Sequence, residues 1–408
     1  MGTENINTKI HYILSFLYQL RTMSYTQIAT YLLRQSSTSY CNKLIKSMVA
    51  DKLIEKQGFY LADSYYFITT HGISKLKKFG ILPICQSDNE PFYPDKFLTA
   101  SKIKMDEKIV NHQLSLNEFV LRFRDNYSFP FSYYDEKYVS QIFSDMRPDG
   151  LLKINDNYYF LEMDMCSERK NSLIEKWQNY RSFLRSQDSY KVNGTIKVLF
   201  ILGGKNNAFS SRTKNLTNYI MDNLWDLINR KSDFYIGSFE VLYPLIVSPN
   251  FHVDILKKYG FQINRGQFSD PGLSDYDFDY YICKTNDSGQ IMVDNGVPME
   301  FVVDDYTSES LFVLKKIHTF PSFAAVFQNL SARDIKYLLL VNSVDDAYRL
   351  IKNNEIPLDG IYFTTKKRLC DDSFYSAVFS IHKDGSVYHF ADGNFLYPVK
   401  ESTFSVFS

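Results

Sequence analysis

The chain has 408 residues, of which 45% are hydrophobic and 16% aromatic. That is enough apolar content for two or three packed domains and too much for a disordered protein. Net formal charge is zero. It is unevenly spread: residues 1–80 carry ten Lys and Arg against four Asp and Glu, a balance of +6, and residues 265–408 carry thirteen against twenty, a balance of −7. The basic end is where a polyanion is expected to bind. The five cysteines are scattered without a CxxC pair, which argues against a zinc ribbon or a disulfide framework. The amino terminus is polar and then amphipathic rather than a signal peptide, and no apolar run approaches the ~20 residues of a membrane span. A cytoplasmic chain without membrane insertion is expected.

In chain order, residues 6–21 place Ile10, Ile13, Leu14, Leu17 and Leu20 at helical spacing. Ser24 with Gln27 forms a capping box for a short second helix. A third helix, SYCNKLIKSMVADKLI, has Cys41, Leu44, Ile45 and Met48 inward and Ser39, Tyr40, Asn42, Lys43 and Lys46 outward. Two short strands follow near Gly58–Leu61 and Tyr65–Thr69, and a further helix begins at His71. This order predicts a winged helix-turn-helix over 1–80, whose third helix would enter the major groove of double-stranded DNA. Residues 81–104, with three prolines and no helical period, read as a linker.

A helix is expected over 106–125 and strands at 137–143, 149–154 and 158–165. A helix over 168–186, a buried strand at 196–202 and an amphipathic helix over 212–230 complete a domain at 105–264. The segment 265–408 resumes with a strand at 299–306, a helix near 308–318 and a strand at 335–341. That order repeats the earlier one, so this third region is expected to be an α/β domain and a degenerate repeat. Asp305 would match Asp164 and Val303 would replace Glu162, giving the second copy a structural role. The expected fold class is α+β and multidomain.

The chemistry concentrates in Arg147–Tyr180. Strand alternation puts Tyr158, Phe160, Glu162 and Asp164 on one face. If the strands on either side of Asn155-Asp156-Asn157 pair as a hairpin, Asp149 can lie near Glu162 and Asp164. Converging carboxylates are hard-oxygen ligands for Mg²⁺ or Mn²⁺ and suit phosphodiester cleavage. The same residues admit plainer readings. Pro148-Asp149-Gly150 is ordinary turn chemistry, Glu162 and Asp164 also suit the solvent face of an edge strand, and Tyr180 also belongs to the apolar stripe Leu173, Trp177, Tyr180 and Leu184. The histidines include no HxH or HExxH arrangement, which leaves a relaxase built on a histidine cluster unsupported. His112 reads as structural.

A helix, three strands, a helix and a strand, with Pro-Asp and then Glu-X-Asp, resembles the PD-(D/E)XK nucleases. With the amino-terminal winged helix, residues 6–230 resemble the replication-relaxation (MobC-type) proteins of plasmids and integrative elements. The resemblance implies that Asp149 and Glu162 ligate the metal and that Asp164 stands where the motif lysine would be. Lys176 from the following helix, or Lys153, would then supply the missing cation. Tyr180 lies one turn from Lys176, Asp164 would be a third ligand or a water-orienting base, and Glu118 could add a further carboxylate. The function implied is a metal-dependent endonuclease that nicks DNA at a plasmid or mobile-element origin in mobilisation or replication. Partners would be origin DNA, other mobilisation or coupling proteins, and a second copy of the chain if the DNA site is palindromic. Two alternatives stand beside it: a non-catalytic origin-binding or regulatory protein with a decayed nuclease fold, and a defence or transposition endonuclease.

Overall fold

A computed structural model describes residues 3–34, 36–58, 64–82, 98–143, 146–165, 170–186, 189, 192, 194–203, 209–247, 253–294, 297–390 and 395–398. The chain divides into two compact units, one of residues 1–213 and 236–243 and one of residues 214–235 and 244–408. Both mix helices and sheets.

The first unit opens with α1 (Thr3–Gln19), β1 (Thr22–Ser24) and α2 (Tyr25–Gln27), which runs into a π-helical turn at Ile28–Leu32. The expected capping box is present: the Ser24 side chain accepts the Gln27 N–H, and Gln27 returns the bond to the Ser24 backbone. α3 (Thr38–Ala50) buries Cys41, Leu44, Ile45 and Met48. It ends four residues earlier than its apolar pattern suggests, because Lys52 takes a left-handed φ of 53° and turns the chain into β2 (Ile54–Gln57). The first strand of the expected hairpin is therefore at 54–57; residues 59–61 lie outside the described residues. β3 (Tyr65–Ile68) pairs antiparallel with both β1 and β2, and α4 (Thr70–Lys78) follows. Most of the expected linker, 83–97, is also outside the described residues, but its end forms the short helix α5 (Ala100–Ile103).

α6 (Glu107–Asn126) leads to β4 (Ser132–Asp135), α7 (Glu136–Ile142), β5 (Gly150–Ile154), β6 (Asn157–Asp164), α8 (Lys170–Arg185), β7 (Thr195–Leu202), α9 (Phe209–Leu224), β8 (Ser232–Gly237) and α10 (Phe239–Val247). The strand expected at 137–143 is the helix α7. Asp135 caps it by accepting the Lys137 N–H at 2.8 Å, and Val139 and Phe143, four apart, are buried on one side. The strands form one sheet in the order β4-β5-β6-β7-β8. β6 is central, antiparallel to β5 and parallel to β7, with α8 as the crossover that a parallel pair requires. Seven consecutive residues of β6 are buried, Tyr158–Asp164. Glu162 and Asp164 therefore do not face solvent on an edge strand. Phe143, Phe160 and Phe183 pack at ring separations of 5.1–5.8 Å, and Trp177 packs on Phe200 at 4.6 Å, seating α8 on the sheet.

In the second unit β9 (Gln262–Gln267), β10 (Asp277–Cys283), the two-residue pair β11 (Val293–Asp294) and β12 (Val297–Pro298), and β13 (Glu300–Asp305) precede α11 (Leu311–Ser331). β14 (Lys336–Val341), α12 (Val344–Asn354) and β15 (Ile361–Thr365) come next. β10 is antiparallel to both β9 and β13, and β13, β14 and β15 are parallel, within an eight-stranded sheet completed by strands from residues 379–398. Its core gathers Phe261, Phe301, Leu338, Phe374 and Phe390.

Candidate active site

In the β5–β6 hairpin Gly150 pairs with Leu161, so Asp149, one residue earlier, falls opposite Glu162. The Asp149 N–H donates to the Leu161 carbonyl at 3.0 Å, and its Oδ2 accepts the Met163 N–H at 2.8 Å. The hairpin backbone thus pins one carboxylate beside the other. A Cβ at 150 would stand 2.9 Å from the Tyr133 ring, so a larger residue there requires the ring to shift.

The second half of the site comes from α8. Leu173, Trp177, Tyr180 and Phe183 are buried against the sheet, and Lys176 sits at the margin of that face, 23% exposed. Its Nζ is 2.8 Å from Glu162 Oε2. One turn on, the Tyr180 hydroxyl donates to Glu162 Oε1 at 2.5 Å. Sequence reasoning singles out Asp149, Glu162, Lys176 and Tyr180, which the structure brings together. It misses His112 of α6, whose Nε2 is 3.3 Å from Asp149 Oδ2 and 2.8 Å from the Met163 carbonyl oxygen.

The two carboxyl groups are driven apart electrostatically. Burial pushes Glu162 up to about 7; Lys176 opposes that rise and the Asp149 charge adds to it. Burial also works against ionising Asp149, but His112, Lys176 and the Met163 N–H overcome it and hold that carboxyl below its ordinary value. Burial lowers His112, yet its contact with Asp149 leaves it raised. Burial and the neighbouring Glu162 hold the Tyr180 hydroxyl well above the ordinary tyrosine value, so Tyr180 serves as a hydrogen-bond donor and not as a phenolate. A carboxylate that stays ionised beside one that titrates near neutrality is the pattern of an acid–base pair.

The remaining predicted ligands go elsewhere. Asp164 is held by Arg212 of α9 in a two-pronged ion pair, Nε to Oδ2 at 2.6 Å and Nη2 to Oδ1 at 3.0 Å. Glu118 accepts from Gln27 Nε2 at 3.3 Å and from the Tyr31 hydroxyl. Six residues beyond His112, it lies on a different side of α6. Lys153 pairs across the hairpin with Tyr158 and extends over its ring, at the far end from Asp149. Among the described residues no group of three or more His, Cys, Asp and Glu is placed to hold a metal ion. The carboxylate set of Asp149, Glu162, Asp164 and Glu118 is therefore reduced to Asp149 and Glu162. That pair still fits Mg²⁺ or Mn²⁺ by donor type, because such ions are commonly held by one or two carboxylates plus substrate phosphate. Burial raises Glu162 and the Asp149 charge adds to that rise, and a cation at the pair would offset both.

On α3, Ser39, Lys43 and Lys46 are exposed and Tyr40 and Asn42 are half-buried. Lys9 of α1 joins them, its Nζ 4.7 Å from the Tyr40 ring centroid and 3.0 Å from Ser36 Oγ.

Residues 14–199 match the replication-relaxation family. The matched stretch runs from α1 into β7 and includes α3, both carboxylates, Lys176 and Tyr180. It points to a role in plasmid replication or mobilisation. No curated protein matches the chain. Among the described residues no helix is long and apolar enough to cross a membrane.

Proposed function

We propose that the chain is a DNA-binding, metal-dependent phosphodiesterase that nicks double-stranded DNA at a plasmid or mobile-element origin. The observation that carries this reading is the juxtaposition of Asp149 and Glu162 across one hairpin with Lys176 on Glu162, inside the stretch matched by the replication-relaxation family. The amino-terminal elements act as a winged helix. Ser39, Tyr40, Asn42, Lys43 and Lys46 contact phosphates and base edges.

Asp149 and Glu162 hold Mg²⁺ or Mn²⁺, which when bound neutralises charge on the scissile phosphate. His112 and the Met163 N–H keep Asp149 ionised and oriented. Tyr180 fixes the rotamer of Glu162, and Lys176, partly open to solvent, balances negative charge that builds on the phosphate. Arg212 neutralises Asp164, so no third buried charge opposes an incoming phosphate. A second reading, a non-catalytic origin-binding protein, is favoured by one observation: the carboxylate at 164 stands where a motif lysine is expected.

Conversion of supercoiled plasmid carrying the cognate origin to open circles separates the two. Wild type is expected to nick with Mn²⁺ or Mg²⁺, and Asp149→Ala and Glu162→Ala to lose nicking while retaining DNA binding. Nicking undiminished in both variants would remove the site assignment. Metal-independent binding with no nicking by wild type would favour the regulatory reading.

A further inference from the structure

The site-bearing part of the first unit recurs in the second unit, one residue out of the register that the sequence suggests. In the first, the chain runs antiparallel β5 and β6, crossover helix α8, then β7 parallel to β6. In the second it runs antiparallel β10 and β13, crossover helix α11, then β14 parallel to β13. Tyr280 pairs with Val303, so Asp279 stands opposite Asp304, as Asp149 stands opposite Glu162. The backbone signature also recurs. The Asp305 N–H, one residue past Asp304, donates to Asp279 Oδ2 at 3.4 Å, as the Met163 N–H does to Asp149 Oδ2. The crossover helix again supplies a lysine: Lys316 pairs with Asp304 and lies 3.5 Å from Asp279. A tyrosine again donates to the inner acid, here Tyr337 from β14. The counterpart of Glu162 is therefore Asp304, not Val303.

Three differences close the second centre. Lys316 is 6% exposed where Lys176 is 23% exposed. The inner acid is one methylene shorter, both inner acids being buried. The outer acid is met by Arg230, whose Nη2 is 3.3 Å from Asp279 while its fork grips Asp277 at 2.7 and 3.0 Å. In the first centre that partner is His112, a single imidazole edge in place of a guanidinium fork. The second centre thus encloses its lysine more fully and meets its outer acid with a guanidinium fork. We infer that residues 262–341 are a second copy of the strand–helix unit at 132–202, with its charged centre converted to a closed lock that fastens α11 to the sheet and binds no ligand. Of the two copies, the first then keeps the ligand-competent centre. That last point rests on the function proposed above; the duplication and the lock do not.

The test uses the full chain and two readouts. In thermal melting at pH 8, Lys316→Met leaves Asp304 buried without its lysine and is expected to lower the midpoint by roughly 3–6 °C. Asp304→Leu/Lys316→Met, which removes both charges, is expected to recover most or all of that loss. A wild-type midpoint for Lys316→Met, or a double variant that melts below the single one, would overturn the lock. In Mn²⁺ titration, Asp279→Asn is expected to bind as wild type does and Asp149→Asn to lose binding. Loss on Asp279→Asn with retention on Asp149→Asn would overturn the closed assignment. Absence of Mn²⁺ binding in wild type would instead count against the proposed function, with melting still deciding the lock.

Discussion

Replacing Lys176 by methionine tests whether Glu162 is a group that titrates near neutrality. Glu162 is buried with its carboxyl raised from 4.5 to about 7. A raised folded value means that its contribution to stability is full below about 4.5 and is lost as pH rises through about 7. Lys176, 2.8 Å away, opposes the rise, so its removal moves the upper point of that window higher. At pH 8 wild-type Glu162 is ionised, and one pH unit beyond its titration point is about 1.4 kcal/mol of preference for that form. A Lys176→Met chain that keeps the proton on Glu162 forgoes that preference. The expected loss is about 1.4 kcal/mol at pH 8 and close to zero at pH 6. A carboxylate that stayed charged after losing its lysine would instead cost ~3–5 kcal/mol at both pH values. Urea unfolding followed by tryptophan fluorescence measures the difference. The chain has two tryptophans, and a Trp225→Phe background leaves Trp177, buried against Phe200, as the reporter. An equal loss at pH 6 and pH 8 would refute the assignment of Glu162 as a titrating acid.

Three further outcomes are expected. Lys43→Ala/Lys46→Ala weakens binding to origin DNA and flattens the plot of log affinity against log salt by about 0.9 for each phosphate that the variant no longer neutralises; an unchanged slope in fluorescence-anisotropy titrations would remove α3 from the interface. Arg212→Ala leaves the buried Asp164 uncompensated and costs ~3–5 kcal/mol, while Asp164→Ala/Arg212→Ala costs less than that single change; a double-mutant cycle in urea with coupling under ~0.5 kcal/mol would show that the ion pair is not a unit. Gly150→Ala drives a methyl group toward the Tyr133 ring and is expected to cost ~1–3 kcal/mol by overpacking; a wild-type urea midpoint would mean that the ring moves aside freely.

Local rules made much of the first unit legible. Alternation along Tyr158–Asp164 and the turn at Asn155 gave the hairpin, and four-residue spacing linked Lys176 to Tyr180. Ser24 with Gln27 marked a helix start that the structure contains. Pairings across long sequence separations were not legible. Arg212 is 48 residues from Asp164, and neither residue type announces a buried pair. Glu118 looked like a spare ligand because the sequence gives no angle between its side of α6 and that of His112. The helix at 136–142 was hidden because Tyr138, Val139 and Ile142 favour strands, and the cap at Asp135 outweighs that preference. The repeat was misregistered because Met-Glu-Phe-Val-Val-Asp-Asp aligns with Tyr-Tyr-Phe-Leu-Glu-Met-Asp by either acidic residue. A one-residue slip moves every side chain to the other face, and only the pairing of Tyr280 with Val303 decides between the two.

The carboxylate at position 164 adds a third acid to the β5–β6 hairpin region. A lysine on that strand would lie two residues from Glu162, on the same face. An aspartate there instead adds negative charge to a pair that already repels, as the Asp149 contribution to the raised Glu162 value indicates. Left alone, three clustered acids, two of them buried, would favour protonation or unfolding. The chain meets this from two other elements. α8 brings Lys176 to Glu162, and α9 brings Arg212 to Asp164 in a two-pronged contact. The cation that balances the inner acid thus comes from a helix margin, where it is partly solvated. A lysine there can leave its carboxylate for a phosphate at modest cost, because water replaces part of what it gives up. Lys316 lacks that freedom: it is almost fully enclosed beside Asp304. Two centres with the same strand pairing and the same lysine-bearing crossover therefore differ in how readily the lysine can be exchanged.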